Sequence, residues 1–208
     1  MAVGIAHEIR NPLAVCSSAA KFLLSDGVDL EFRKQCSMKI QTNINKASTI
    51  IENLMAFAGS SMDVNMTDIV LSEALEDTIA LVANQAKVQK IKIELMQSPE
   101  VILVSGVVGL LQQVFMNILL NAFKAMPAGG SVSVTIECLS DSVEVRFIDT
   151  GIGIPVGDID KIFDPFHTSS PTGQGTGLGL SICYRIIQQH LGSIRAESSP
   201  GKGASIII

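Results

Sequence analysis

The stretch QQVFMNILLNAFKAM, Gln112 to Met126, is apolar around most of its circumference, yet polar residues recur at Gln113, Asn117, Asn121 and Lys124. Steps of four, four and three place them above one another on one helical face. Such a stripe either faces solvent or lines a site.

The hydrophobic period changes on both sides of this helix, which is expected to occupy about residues 107–126. IKIEL, Ile91 to Leu95, and VILV, Val101 to Val104, precede it as strands. SVSVTIE and SVEVRFI, from Ser131 and Ser142, follow as two alternating strands. Upstream, Ser72 is expected to be the N-cap of a helix running to about Val88, with Glu73 and Glu76 in its first turns. Downstream, Leu178 to Leu191 reads as a helix stopped by Gly192, and two late strands are joined by SPGKG. Helices segregated on one face of a mixed or antiparallel sheet make an α/β sandwich.

The N-terminal part has a different rhythm. Ile9, Leu13, Cys16, Ala20 and Leu23 step by four and three, as do Ile40, Ile44, Ala47, Ile51, Leu54 and Ala58, with SDGVDL between them. This is a helical hairpin, and its seams are expected to meet those of a second copy in a dimeric four-helix bundle; the alternative is packing on its own second domain. The whole chain is therefore α+β. The expected spans are a hairpin over 1–59, a Gly/Ser/Asp-rich linker over 60–68 and a sandwich over 69–208.

Composition excludes several classes of function. With 47% hydrophobic and 17% charged residues, 208 residues can bury a sizeable core. The net charge of −5 and the absence of a basic cluster argue against nucleic-acid binding. No apolar run reaches the roughly 18 residues of a bilayer span, and MAVGIAHEIR lacks the features of a signal peptide, so no membrane contact by this chain is expected. Cys16, Cys36, Cys138 and Cys183 form no CxxC pair, which favours reduced thiols in a cytoplasmic setting over a metal site.

Two glycine-rich loops flank the late elements. In DTGIGIP, Asp149 to Pro155, Gly151 and Gly153 allow close backbone approaches, and Asp149 at a strand end can accept a hydrogen bond from a bound base or simply cap the turn. In GQGTGLGLSI, Gly173, Gly175, Gly177 and Gly179 alternate immediately before a helix, an arrangement suited to a phosphate chain. It ends in no GK[ST] and does not fit GxGxxG, which removes the main support for P-loop and dinucleotide readings. With an anion there, Asn121 becomes a candidate magnesium ligand, Asn117 its neighbour one turn away, and Lys124 a candidate phosphate contact.

NILLNAFKAM, DTGIGIP, IFDPF and GTGLGL, in this order, resemble the N, G1, F and G2 boxes of the histidine-kinase catalytic domain, within the ATP-binding fold shared with Hsp90, MutL and type II topoisomerases. AHEIRNPL, Ala6 to Leu13, resembles the H box of the dimerisation and phosphoacceptor domain. The resemblance implies a nucleotide site that includes Ile154, Phe163, Phe166, Gly175, Thr176, Gly177, Leu178, Gly179 and Leu180 beside the residues above. It also implies ATP and Mg2+ as cofactors, His7 as phosphoacceptor, a response regulator as partner, a homodimer, and a sensor region ahead of the H box that is often membrane-attached.

Helix geometry adds to this. His7 lies two residues from Ile5 and Ile9, about 200° around the helix, and so points away from the seam. An imidazole nitrogen is a competent nucleophile near neutral pH, and Glu8 is the candidate base for the proton on the other nitrogen. Asn11 lies one turn beyond His7 on the same face, where the family position suits a water that removes phosphate from the regulator. Pro12 cannot donate to the Glu8 carbonyl, which favours a kink. His190, near a helix C-terminus, is expected to be structural, with a favourable partial positive charge. His167 stands where relatives often carry Phe, and HTSSPTG lacks their usual basic residue; this departure bears on how the lid, 166–174, meets phosphate.

Three rival readings remain. An ATPase of this fold places a water-activating Glu four residues before the magnesium Asn; here that position is Asn117. A protein-serine kinase is disfavoured by the same absence and by the histidine-bearing hairpin. An ATP-binding pseudokinase or dimeric scaffold would keep the boxes without phosphotransfer.

Overall fold

The computed structural model describes residues 2–25, 27–58, 65–97, 100–168 and 177–208. It divides into two compact units, Met1–Ser60 and Ser61–Ile208.

The first unit is a helical hairpin of α1 (Ala2–Leu23) and α2 (Leu30–Ala58). Its turn uses Gly27 at φ 80°, in the left-handed region that glycine tolerates. Asp29 then caps α2, its Oδ1 accepting the Phe32 N–H at 2.7 Å. Small side chains make the hairpin's own contact: Ala19, Cys36 and Ala47 are buried beside Pro12, and Cys16 Sγ donates to the Ile40 carbonyl at 3.5 Å. α1 continues through Pro12. The predicted seam is split. Ile9, Cys16, Leu23 and Ile40 are partly buried, whereas Ala20 is exposed, Leu13 is 51% exposed and Ile44 is 50% exposed. One hairpin covers one flank of a heptad stripe, and the other flank stays open.

The second unit contains a five-stranded sheet in the order β2-β4-β5-β7-β6, formed by Ile91–Gln97, Gly130–Cys138, Val143–Asp149, Ala204–Ile207 and Arg195–Ser198 respectively. The β2–β4 pair is parallel and the others are antiparallel. Strand alternation separates the faces. Val132, Val134, Ile136, Val145 and Phe147 are buried in one core with the apolar faces of α3 (Leu71–Val88), α4 (Val108–Ala125) and α5 (Gly179–Gln189). Within this layer α4 packs against both α3 and α5. The opposite face is polar, with Glu144 joined to Arg146 at 2.7 Å and to Arg195 at 2.9 Å. These two guanidinium groups hold the Glu144 carboxyl below its usual range. No helix among the described residues is long and apolar enough to cross a membrane.

Local expectations fail where pairing is long-range. Thr67 and Asp68, expected in the linker, begin strand β1 (Thr67–Val70), which pairs antiparallel with β3 (Leu103–Gly106). The strand expected over VILV accordingly starts later, at Leu103. Ser72 is not the N-cap of α3. That helix starts at Leu71, and Val70 precedes it without a side-chain cap; the Leu71 N–H instead donates to the Ile102 carbonyl at 3.0 Å. A backbone carbonyl thus satisfies the first free N–H of the helix.

Candidate active site

The polar stripe of α4 is half-buried from Gln113 to Asn121 and reaches solvent only at Lys124. Asn117 and Asn121 are half-buried, and both lie against Gly179, the first residue of α5: the position of a Cβ on Gly179 is 3.8 Å from Asn121 Nδ2 and 4.0 Å from Asn117 Oδ1. Asn117 Nδ2 donates to the Gly179 carbonyl at 3.5 Å. The start of α5 thus meets the two amides at a helix end whose first N–H groups lack intrahelical acceptors. Leu178 is fully buried, Leu180 partly so, and Ser181 Oγ turns back to the Leu178 carbonyl at 2.9 Å. Lys124 is exposed near the C-terminal end of α4. Below the stripe, the Cys183 thiol is fully enclosed beside Val114, and burial pushes it up to about 12.

Asp149 ends β5 and is 8% exposed. Its Oδ1 accepts the N–H of Gly151 at 2.8 Å and of Ala204 at 3.3 Å. Burial pushes the carboxyl above its ordinary range, and the two N–H donors only partly offset this. No hydrogen bond among the described residues uses Oδ2. The loop after Asp149 rests on the end of α4, since Ile152 N–H donates to the Ala125 carbonyl at 3.0 Å and a Cβ on Gly151 would fall 2.7 Å from that same oxygen. Only glycine fits there.

The turn of the β6–β7 hairpin supplies residues that sequence reasoning passed over. Ile154, half-buried, donates its N–H to Ser198 Oγ at 2.8 Å, and Gly201 N–H donates to the Ile152 carbonyl at 2.8 Å. Gly153, at φ 72°, packs on the Ser199 carbonyl, and Gly203, at φ 78°, packs on the Asp149 carbonyl so closely that neither position has room for a Cβ. The available signal was the pair of glycines in SPGKG, read only as a turn.

A short 3-10 turn, Ile159–Lys161, leads into IFDPF. Phe163 lies against Tyr184 of α5 with ring centroids 6.3 Å apart. Phe166 adopts φ 68°, its N–H donating to the Gly177 carbonyl at 2.9 Å, and Gly177 at φ 62° sits on the Phe166 backbone with no space for a side chain. His167 follows, its Nε2 3.7 Å from Asp158 Oδ1. His190 is structural, but not through a positive charge. Its Nε2 accepts the Val107 N–H at 3.1 Å, so the proton is assigned to Nδ1, which lies 2.7 Å from the Ile186 carbonyl. A neutral imidazole thus links the end of α5 to the start of α4.

Asn11 is exposed on α1. His7 and Glu8 belong to the α1 backbone, but their side chains lie outside the described residues, as do Gly175, Thr176 and most of the lid. Asn117, Asn121, Asp149, Gly151, Gly153, Ile154, Phe163, Phe166 and Gly177 to Leu180 all fall within the second unit, on the C-terminal half of α4, at the start of α5 and at or after the end of β5.

This layout coincides with family models. Residues 106–208 match the "Histidine kinase-, DNA gyrase B-, and HSP90-like ATPase" family, and residues 1–60 match the "His Kinase A (phospho-acceptor) domain". Sporulation kinase E of Bacillus subtilis (strain 168) is 33% identical over 98% of this chain, which spans 27% of that protein. Sporulation kinase A of the same organism is 32% identical over the whole chain, which spans 34% of it. Among solved structures, the catalytic domain of histidine kinase ThkA is 30% identical with a TM-score of 0.62, covering 68% of this chain and 94% of that one. ThkA in complex with response regulator protein TrrA aligns with all of this chain and 59% of that one, at 26% identity and a TM-score of 0.79. The ATP-binding domain and the phosphoacceptor domain thus occur together in the order read from the motifs, and the chain belongs to the sensor histidine kinases of two-component signalling.

Proposed function

We propose that this chain is a histidine kinase core that binds Mg-ATP in its second unit, transfers the γ-phosphoryl group to His7, and passes it to an aspartate of a response regulator. The observation that carries this reading is the convergence of Asn117 and Asn121 on Gly179, with Asp149 buried at the neighbouring strand end. Asn117 and Asn121 face a helix N-terminus, and at Gly151, Gly153 and Gly177 a Cβ would overlap neighbouring backbone.

The fit to each group follows from its chemistry. Asp149 Oδ1 is held by two N–H groups, which leaves Oδ2 to accept from the amino group of adenine. Gly151 and Gly153 keep the base wall thin, and Ile154, Phe163 and Phe166 contribute apolar surface beside it. No group of three or more His, Cys, Asp or Glu that could hold a metal exists among the described residues. A neutral ligand such as Asn121 suits magnesium, which keeps water and phosphate oxygens in its octahedron and neutralises charge that develops on the transferred group. Lys124 adds a point charge for phosphate, and Gly177 to Leu180, at the start of α5, supply backbone N–H groups.

In the transfer, a His7 ring nitrogen attacks the γ-phosphorus, the bond to the ADP oxygen breaks, and Glu8 takes the proton from the other ring nitrogen. Asn117 stands where a water-activating carboxylate would favour hydrolysis. Asn11 is placed to orient a water that removes phosphate from the regulator. The uncovered flank of Leu13, Ile44 and Ile51 on the hairpin fits a homodimer, and a regulator is the partner by analogy with the ThkA complex.

The test is incubation with γ-labelled ATP and magnesium. Acid-labile, alkali-stable label on the chain supports the reading; ATP binding with no label under those conditions makes the chain a nucleotide-binding scaffold instead.

A further inference from the structure

The β6–β7 turn does more than reverse the chain. It begins at Ser198, which pairs with Ala204 across the hairpin. The Ser198 hydroxyl has two partners: it accepts the Ile154 N–H at 2.8 Å and donates to the Gly203 carbonyl at 2.7 Å. One partner lies in the DTGIGIP loop and the other in the turn. The hydroxyl therefore ties together two segments about fifty residues apart.

The consequence reaches Asp149. Gly203 rests on the Asp149 backbone, and the next residue, Ala204, gives Asp149 Oδ1 its second N–H donor at 3.3 Å. That bond is longer than the 2.8 Å bond from Gly151, and it depends on where the turn sits. Both donors hold Oδ1, which leaves Oδ2 for a ligand. Releasing the Gly203 carbonyl removes one tie next to Ala204, and the longer of the two bonds to Asp149 Oδ1 is the one that the change weakens. The polar atoms freed by losing the hydroxyl are backbone groups of the two loops themselves.

We propose that Ser198 is a positioning residue for nucleobase recognition, acting through Gly203 and Ala204 to orient the Asp149 carboxylate toward the exocyclic amino group of adenine. The proposal rests on the nucleotide site described above. Its distinguishing property is base selectivity, because a displaced carboxylate loses its preference for an amino group over a keto group while phosphate contacts persist. A residue that merely held the domain together would weaken all triphosphates alike.

The test is calorimetric titration of the full chain with ATP and with ITP, whose base carries a keto oxygen in place of the amino group. Wild type should prefer ATP. Ser198→Ala should bind ATP about tenfold more weakly, a loss of the size expected for one hydrogen-bonded link. ITP binding should change little, so the ATP-to-ITP ratio collapses; Ser198→Thr, which keeps a hydroxyl, should restore the ratio. An unchanged ratio in a folded Ser198→Ala protein, or equal losses for both nucleotides, overturns the role of Ser198. A wild-type chain that binds ATP and ITP alike overturns instead the reading of Asp149 on which it depends.

Discussion

Asn117 Nδ2 donates to the carbonyl oxygen of Gly179 at 3.5 Å, joining the middle of α4 to the first residue of α5. The two elements are brought together at a point where one offers an amide and the other lacks a side chain. A change at Asn117 alters the contact between the polar stripe and the glycine loop.

Asn117→Asp replaces the donor with an oxygen facing a carbonyl. Repulsion and a lost hydrogen bond should push α5 away from α4 at this point and weaken nucleotide binding by about tenfold. Fluorescent-nucleotide titration checks it; an equally tight variant would separate the Asn117 contact from the site.

Asp149→Asn keeps an acceptor for Gly151 and removes the charge. Burial raises the folded-state carboxyl pKa, so the folded form holds its proton more tightly than the unfolded chain does. The ionised group therefore opposes folding at neutral pH, and this opposition fades as pH falls through the folded pKa. The variant should melt at or above the wild-type temperature at neutral pH, with the difference narrowing toward about pH 4, while losing ATP affinity. Thermal scans across pH and a nucleotide titration read the two effects separately.

Gly203→Ala forces a Cβ into the Asp149 carbonyl at a residue with φ 78°. The expected cost is about 2 kcal/mol or more, from left-handed strain and overlap together. Urea unfolding measures it; a cost of only a few tenths would mean the turn moves freely.

His190→Ala removes the acceptor for Val107 and the link from α5 to α4. A destabilisation of about 1–3 kcal/mol is expected for the stranded N–H. Nitrogen chemical shifts of the wild-type ring should report the Nδ1–H tautomer, and an Nε2–H signal would contradict the hydrogen-bond assignment.

The parts of the fold legible in sequence were those written in local pattern. The α4 stripe, the alternation of SVSVTIE and SVEVRFI, and the glycines before α5 each state a period or a backbone freedom within a few residues. What escaped depended on distant partners. Thr67 and Asp68 look like linker because their strand exists only through Gly106 and Ser105. Ser72 looks like a cap, but α3 already begins at Leu71, whose N–H bonds the distant Ile102 carbonyl. Ser198 is one serine among several, and only folding brings it to Ile154 and Gly203. His190 near a helix end suggested a favourable charge, whereas its actual partner, Val107, lies 83 residues away.

The most direct measurement is γ-label incorporation compared in wild type, His7→Gln and Asp149→Asn, with ATP affinity determined for each. Wild type should carry acid-labile label at His7. The His7→Gln protein should bind ATP normally without being labelled, and Asp149→Asn should lose label together with affinity. Stable, wild-type levels of label on His7→Gln would place the phosphoryl group elsewhere and contradict the assignment of His7 as acceptor.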